Sequence, residues 1–146
     1  MTKKAKRNIS LILTAIVIAI AIFGYIIWNK PHLNVKNANA IKITAIALYS
    51  NLSKNDTLSK LNYINKVVEV TGEIKQIFFN QQHQQILLLK SNVPGGSVNC
   101  TMEEKITNIR VGELIVLKGI CIGYIGGDMD MGLPGDVFLT RCYPSI

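Results

Sequence analysis

The 146-residue chain lacks the short motifs that mark the commoner catalytic sites. It contains no GxSxG, SxxK or HExxH segment and no Walker-type phosphate loop, the patterns that place a nucleophile, a catalytic zinc or a phosphate. It has no CxxC or HxxxH spacing for structural zinc, and its only histidines are His32 and His83. These absences predict a protein that is not an enzyme, binds no metal and needs no cofactor.

One long stretch of the sequence carries no charge. Residues 9–28 are uncharged and almost all apolar, and at about 1.5 Å per residue a helix of this length crosses the roughly 30 Å hydrocarbon core of a bilayer. Tyr25 and Trp28 lie at its far end, where amphipathic aromatic side chains favour the membrane surface. The run predicts a transmembrane helix in preference to a cleaved secretory signal, whose apolar stretch is only about 7 to 15 residues.

The positive charge of the chain concentrates before this apolar run. The formal net charge is +7, but four basic residues precede residue 9 and the chain from Lys30 onward holds 12 basic and 9 acidic residues. This distribution indicates a membrane more than a nucleic-acid partner. It predicts a single-pass protein of the cell membrane with its domain on the periplasmic or extracellular side. The opposite orientation stays open, because three lysines also follow the run within about 15 residues.

Beyond the run, hydrophobic periodicity predicts two helices and then five strands. Residues 41–53 and a second segment ending near Ile64 have apolar residues at helical spacing, the second capped by Asn55 or Asp56. The period then changes to two, with Gly72 marking a bulge or sharp bend in the first strand. The predicted strands are residues 68–75, 85–90, 97–102, 114–124 and 137–142, with a short helical turn at 103–110.

Three strands, a helical turn and two strands predict a mainly β domain, a five-stranded OB-fold Greek-key barrel preceded by one or two amphipathic helices. An SH3-like or other small open barrel is the alternative. The predicted division is a basic cytoplasmic tail at 1–8, a transmembrane helix at 9–28, a linker at 29–40, and an OB-fold domain with an N-terminal helical extension at 41–146.

Several segments also resemble a known family. The run from Tyr63 to Ile74 resembles the entry into the barrel of the tRNA_anti-like OB-fold family, small bacterial proteins that often carry an N-terminal anchor or signal. Further matching segments are residues 98–102, 111–113, 118–124 and 137–142. The resemblance implies an OB fold and supplies no catalytic residues. The loop at 125–136 is more acidic than the family suggests, which argues against phosphate contacts there.

The three cysteines, Cys100, Cys121 and Cys142, fall on the third, fourth and fifth predicted strands. In an OB barrel the fifth strand lies between the third and fourth, so Cys142 could neighbour either of the others. Outside the cytoplasm a disulfide is permitted, with Cys100 and Cys142 as the preferred pair. The alternative is that all three are small buried apolar residues.

OB domains bind single strands by stacking bases on barrel aromatics beside a positive groove. The second and third predicted strands, the usual platform, carry no aromatic residue. The candidate ligand-binding residues are therefore Lys75, Phe78, Phe79, Lys90, Tyr124 and Arg141. The leading hypothesis is a membrane-tethered, non-enzymatic OB-fold module that binds an envelope protein, a peptide or a glycan. The alternative is an OB domain that binds single-stranded nucleic acid such as tRNA or ssDNA.

Overall fold

A computed structural model of the chain describes residues 3–28, 34–54, 56–128 and 131–145. The chain divides into two compact units, residues 1–33 and residues 34–146. The first unit contains one helix, α1 (Lys3–Trp28). Within the described residues, no helix combines the length and hydropathy that crossing a bilayer requires. The predicted transmembrane helix is therefore not confirmed.

The second unit is a closed five-stranded barrel with two further helices. Its elements in order are β1 (Ile41–Thr44), α2 (Ala45–Ser53), α3 (Thr57–Tyr63), β2 (Val67–Phe79), β3 (Gln85–Lys90), β4 (Ser97–Met102), β5 (Leu114–Ile125) and β6 (Asp136–Pro144). The strand order is β1-β2-β3-β4-β6-β5, and β5 pairs back onto β2 to close the barrel. Because β4 and β6 are parallel and the other barrel pairs antiparallel, the domain has the predicted OB-type Greek-key order.

The alternation of residues along the strands fills the barrel. The buried interior positions are spaced two apart in β2, β3 and β4, as a strand with one buried face requires. The buried core cluster consists of residues between positions 45 and 142. The second unit therefore has a hydrophobic core of its own. Its fully buried members include Val68, Val70, Ile74, Leu87, Leu89, Val98, Cys100, Leu117, Cys121, Val137, Leu139 and Cys142.

The N-terminal extension starts with a strand, so the predicted helix at 41–53 is wrong in its first four residues. β1 pairs in parallel with residues 68–71 of β2, opposite β5 and along the part of β2 that β3 does not reach. Thr44 then ends the strand and caps α2, because its hydroxyl accepts a hydrogen bond from the Ala47 N–H at 3.2 Å. The β-branched residues of Ile41-Lys42-Ile43-Thr44 favour the extended conformation.

Helix α2 closes one end of the barrel. Ala45, Leu48, Tyr49 and Leu52 are all buried in the core, at the spacing that gives a helix one apolar side. The helix approaches β2 closely at Gly72, since a Cβ added there would lie 2.8 Å from the Cβ of Ala45. The predicted bulge is instead two residues later, between Ile74 and Gln76. Gly72 is regularly paired with Ile115.

Helix α3 lies where the second helix was predicted, but its burial is the reverse of the expectation. Asp56 occupies the N-cap position without a side-chain capping hydrogen bond, and none of the residues of α3 is buried. Leu58 and Leu61, predicted to share an apolar face with Ile64, are largely exposed. The half-buried residues of α3 are Ser59 and Tyr63, which lie one turn apart.

The opposite end of the barrel is closed by residues 103–113. The helical turn predicted at 103–110 is wrong, because this segment has no helix. Ile106 and Ile109 instead pack against the core. The amide of buried Gln85 fixes the loop: it donates to the Ile106 carbonyl at 3.1 Å and accepts from the Ile106 N–H at 2.7 Å. A side chain thus replaces the backbone hydrogen bonds that a helix would have made.

Residues 34–40, predicted as part of a linker, pack on the barrel. Val35 is only 1% exposed. The Lys36 ammonium is 2.7 Å from a Glu104 carboxylate oxygen, and the Lys118 ammonium donates to the carbonyls of Lys36 and Ala38, each at 3.3 Å. The predicted linker therefore does not extend through residue 40, and residues 29–33 lie outside the described residues.

Candidate ligand-binding face

The strand register defines one continuous outer face across β2, β3, β4 and β6. The pairs Gln76 with Leu88, Leu88 with Asn99 and Asn99 with Phe138 form one row across four strands. A second row lies two residues further along each strand, where Phe78 pairs with Ile86 and Ile86 with Thr101. Because these residues alternate along each strand with residues of the barrel core, their side chains point away from the core, and Ile86 among them is only 8% exposed. We call these two rows the barrel face.

Two aromatic rings lie at opposite sides of the barrel face. Phe78 is on β2 and Phe138 is on β6, and both are half-buried. Between them lie the aliphatic side chains of Ile86 and Leu88 on β3. A partly exposed aromatic ring on a strand offers a flat apolar surface on which a planar group can stack.

Asn99, in the centre of the face, has an unused hydrogen-bonding atom. Its Oδ1 is covered and has no hydrogen-bond partner within the part of the chain that the structure describes. It stands between Leu88 and Phe138, neither of which has a side-chain donor. Buried polar atoms without a partner are rare, because each costs about 1 to 3 kcal/mol. The packing of the barrel therefore does not explain an amide at this position.

Arg141 lies at a bulge beside this face. Its backbone φ is 52°, and the register between β4 and β6 shifts between Cys100 and Met102, so Thr140 and Arg141 both face Thr101. Among the described residues its guanidinium has no ion pair with a carboxylate. Of the residues predicted for ligand binding, Phe78 lies on the barrel face and Arg141 beside it.

Lys75 and Lys90 lie together, at one side of the face. They line a depression of about 330 Å³ with the loop at 91–96. Lys90 is already in an ion pair with Glu73, whereas Lys75 is exposed at the bulge of β2. Of these two lysines, Lys75 is therefore the one whose charge is more available to a ligand.

Phe79 and Tyr124 lie away from the barrel face. Phe79 pairs with inward-pointing Gln85 but sits at the barrel rim, 51% exposed, where the Lys105 ammonium is 5.2 Å from its ring centroid. Tyr124 is at the end closed by α2. Its ring meets that of Tyr49 edge-on at 5.8 Å between centroids.

Tyr49 and Tyr124 share a backbone partner. The Tyr49 hydroxyl donates to the Gly135 carbonyl at 2.8 Å, and the Tyr124 hydroxyl accepts from the Gly135 N–H at 2.8 Å. Burial, with the neighbouring Tyr124, raises the pKa of Tyr49 to about 12. These contacts make Tyr124 a packing residue of the α2 end.

All three cysteines are buried free thiols. Cys100 and Cys142 are neighbours inside the barrel, as the predicted pairing requires: the contact with Cys142, with burial, raises the pKa of Cys100 well above its ordinary value. Burial also raises the pKa of Cys121, to about 11. The disulfide between Cys100 and Cys142 stays a prediction. Over the described ranges, no three His, Cys, Asp or Glu side chains come together as a metal site.

The sequence profile of the tRNA_anti-like family matches residues 1–133. The chain belongs to the tRNA_anti-like family. The predicted resemblance is confirmed, and the match also includes the N-terminal unit. No protein among the curated ones matches the chain in sequence.

Solved structures that are similar to this tRNA_anti-like protein include the following two. One is a protein assigned as an aspartyl-tRNA synthetase of Leishmania major Friedlin, at 8% identity and a TM-score of 0.42, covering 80% of this chain and 22% of that one. This chain therefore spans about a fifth of the length of that protein. The other is OBody AM3L09 bound to hen egg-white lysozyme, at 17% identity and a TM-score of 0.38, covering 57% of this chain and 84% of that one.

The residues that sequence reasoning missed in this tRNA_anti-like domain are Leu88, Asn99 and Phe138. It is correct that β3 and β4 hold no aromatic residue, but β6 brings Phe138 to the outer side of β4. The signal was available in the predicted strand order, which places the fifth strand beside the third. The parallel register of β4 and β6, which puts Phe138 opposite Asn99, required the structure.

Proposed function

We propose that this tRNA_anti-like protein is a non-enzymatic binding module that binds single-stranded nucleic acid across its barrel face. One observation carries the proposal: Phe138 adjoins Asn99, whose Oδ1 has no partner among the described residues, on a face that also carries Phe78. Bases stack on such rings with about 1 to 3 kcal/mol each. The Asn99 amide supplies the acceptor and donor that read a base edge.

The charge of the domain predicts how such binding depends on salt. Residues 34–146 contain 11 basic and 9 acidic residues, and beside the barrel face the Arg141 guanidinium is available to a phosphate. A protein that contacts Z phosphates of a single strand loses affinity with a slope of about −0.7Z on logarithmic axes. We therefore expect a slope of about −1 to −2 and binding carried mainly by stacking.

The test uses residues 34–146, which contain the whole barrel core. Fluorescence anisotropy with a labelled mixed-sequence octanucleotide, as RNA and as DNA, measures binding at low salt. Phe138→Ala is expected to weaken binding about tenfold, because one stacking surface is lost. Phe79→Ala is the matched control: it removes an exposed ring at the barrel rim and leaves affinity unchanged. Failure of both oligonucleotides to bind, or equal losses in the two variants, contradicts the proposal.

A second candidate function is a module tethered to the cell membrane that binds an envelope protein, a peptide or a glycan from outside the cytoplasm. The uncharged run at 9–28 behind four basic residues favours it, as does the near balance of charge in the domain. Reporter fusions after residue 146 separate the candidates: an external domain excludes the nucleic-acid proposal, and a cytoplasmic one excludes an envelope ligand. Extraction of the protein from membranes by carbonate would refute the tether.

A further inference from the structure

Helix α3 exposes both of its leucines, whereas its half-buried positions are a serine and a tyrosine. Leu58 is 68% and Leu61 66% exposed, while the half-buried positions are Ser59 and Tyr63. At 100° per residue the two leucines point away from the direction of Ser59 and Tyr63. A surface helix of a globular domain normally has the opposite arrangement. The exposed leucines therefore need an explanation outside the packing of the barrel.

The surplus positive charge of the domain lies in the same place. Residues 34–146 contain 11 basic and 9 acidic residues, residues 54–66 contain three and one, and the remainder therefore holds eight of each. The three basic residues are Lys54, Lys60 and Lys66, and the one acidic residue is Asp56. The segment that contains Leu58 and Leu61 therefore accounts for the whole net positive charge of residues 34–146.

These three lysines differ from most others in the barrel unit. Lys36, Lys42 and Lys90 form ion pairs with glutamates, and Lys118 donates to two carbonyls. Lys54, Lys60 and Lys66 are exposed, and over the described ranges none of them is in an ion pair. The Asp56 carboxylate accepts from the Ser59 hydroxyl at 3.4 Å. The lysine charges are therefore available to an external anion.

We propose that Leu58, Leu61, Lys54, Lys60 and Lys66 form a docking surface for a bilayer that contains anionic lipid. Two leucines entering the interface and lysines reaching the headgroups are the features of an interfacial segment. A protein partner is disfavoured, since lysine is depleted in protein interfaces. This inference goes beyond the proposed function and does not depend on it, because the surface lies on α3 and not on the barrel face.

The test uses residues 34–146, which lack the apolar run, and sedimentation with vesicles of phosphatidylcholine alone or with 30% phosphatidylglycerol. We expect binding to the anionic vesicles only. Leu58→Gln with Leu61→Gln is expected to lower the partition coefficient at least about tenfold, because two partly buried leucines are lost. Lys60→Gln is expected to lower it about fivefold, since a lysine near such a surface contributes about 1 kcal/mol.

Matched controls come from the barrel strands, outside α3. Leu114 is 70% exposed and Lys75 is an exposed lysine at the bulge of β2. Leu114→Gln and Lys75→Gln should leave vesicle binding unchanged. Absence of binding to anionic vesicles, equal binding to neutral ones, or equal losses in the control variants overturns the proposal.

The chain also permits a direct measurement of insertion. Its single tryptophan is Trp28, so residues 34–146 contain none and Leu61→Trp introduces one unique probe. On anionic vesicles its emission is expected to move to shorter wavelength and to resist an aqueous quencher. Emission that stays at the wavelength of exposed tryptophan while the fragment sediments with vesicles places the contact elsewhere and refutes the assignment to α3.

Discussion

The two ends of the barrel are closed by different means. At one end α2 buries Leu48, Tyr49 and Leu52, and the Tyr49 hydroxyl bonds to the backbone of the loop before β6. At the other end the irregular segment 103–113 contributes two half-buried isoleucines and is held by the amide of Gln85. Closing a barrel end therefore requires apolar side chains and satisfied backbone groups, and a helix is only one way to supply both.

The largest difference is expected from removing one apolar side chain at each end. Leu48→Ala should lower the free energy of unfolding by about 3 kcal/mol, because Leu48 is fully buried and the substitution leaves a cavity. Ile109→Ala should lower it by only about 1 kcal/mol, since Ile109 is half-buried. Urea unfolding of residues 34–146 measures both. Equal losses would mean that the two ends contribute alike.

Alkaline pH should weaken the α2 end selectively. The pKa of Tyr49 is about 12 in the folded protein and about 10 when unfolded, so its stabilising effect is complete below pH 10 and is lost as pH rises towards 12. The loss should reach about 2 kcal/mol. The measurement is the difference in unfolding free energy between the parent and Tyr49→Phe at successive pH values, because other titrations cancel. A difference that does not change above pH 10 contradicts the burial argument.

The smallest expected effect concerns the loop end. Gln85→Leu replaces the amide with an apolar side chain of similar size and leaves the N–H and carbonyl of Ile106 without their partner. Since Ile106 is half-buried and water can replace part of the loss, the cost should be about 1 kcal/mol. Amide exchange at Ile106 should accelerate, whereas exchange at Tyr49 should not. Unchanged exchange at Ile106 would show that the loop is held by other contacts.

The same comparison explains what sequence reasoning could predict. The strands β3 and β4 were predicted with their observed ends, since alternation and a Pro-Gly-Gly turn are local signals. The helix at 103–110 was not correct, because Ile106 and Ile109 have helical spacing while the deciding contact comes from distant Gln85. The strand at 41–44 was missed for a related reason: its partner is 27 residues away in β2.

The residues of the candidate site show the same difference between local sequence signals and contacts from distant strands. Phe78 and Arg141 could be selected by residue type, because aromatic and basic residues are the usual contacts of an OB barrel. Asn99 could not be selected, since its significance depends on neighbours from two other strands that leave its Oδ1 without a partner. Tyr124 was selected by type, but in the structure its hydroxyl bonds to Gly135.

The hydrogen bond between Tyr49 and Gly135 also constrains the order of events during biosynthesis. Its two residues are 86 positions apart, so α2 leaves the ribosome long before the strand that completes its docking site. This hydrogen bond cannot form, and the helix cannot be packed completely, until almost the whole polypeptide has been translated. During that interval its leucines are exposed to other nascent chains, and chaperone engagement should be concentrated there.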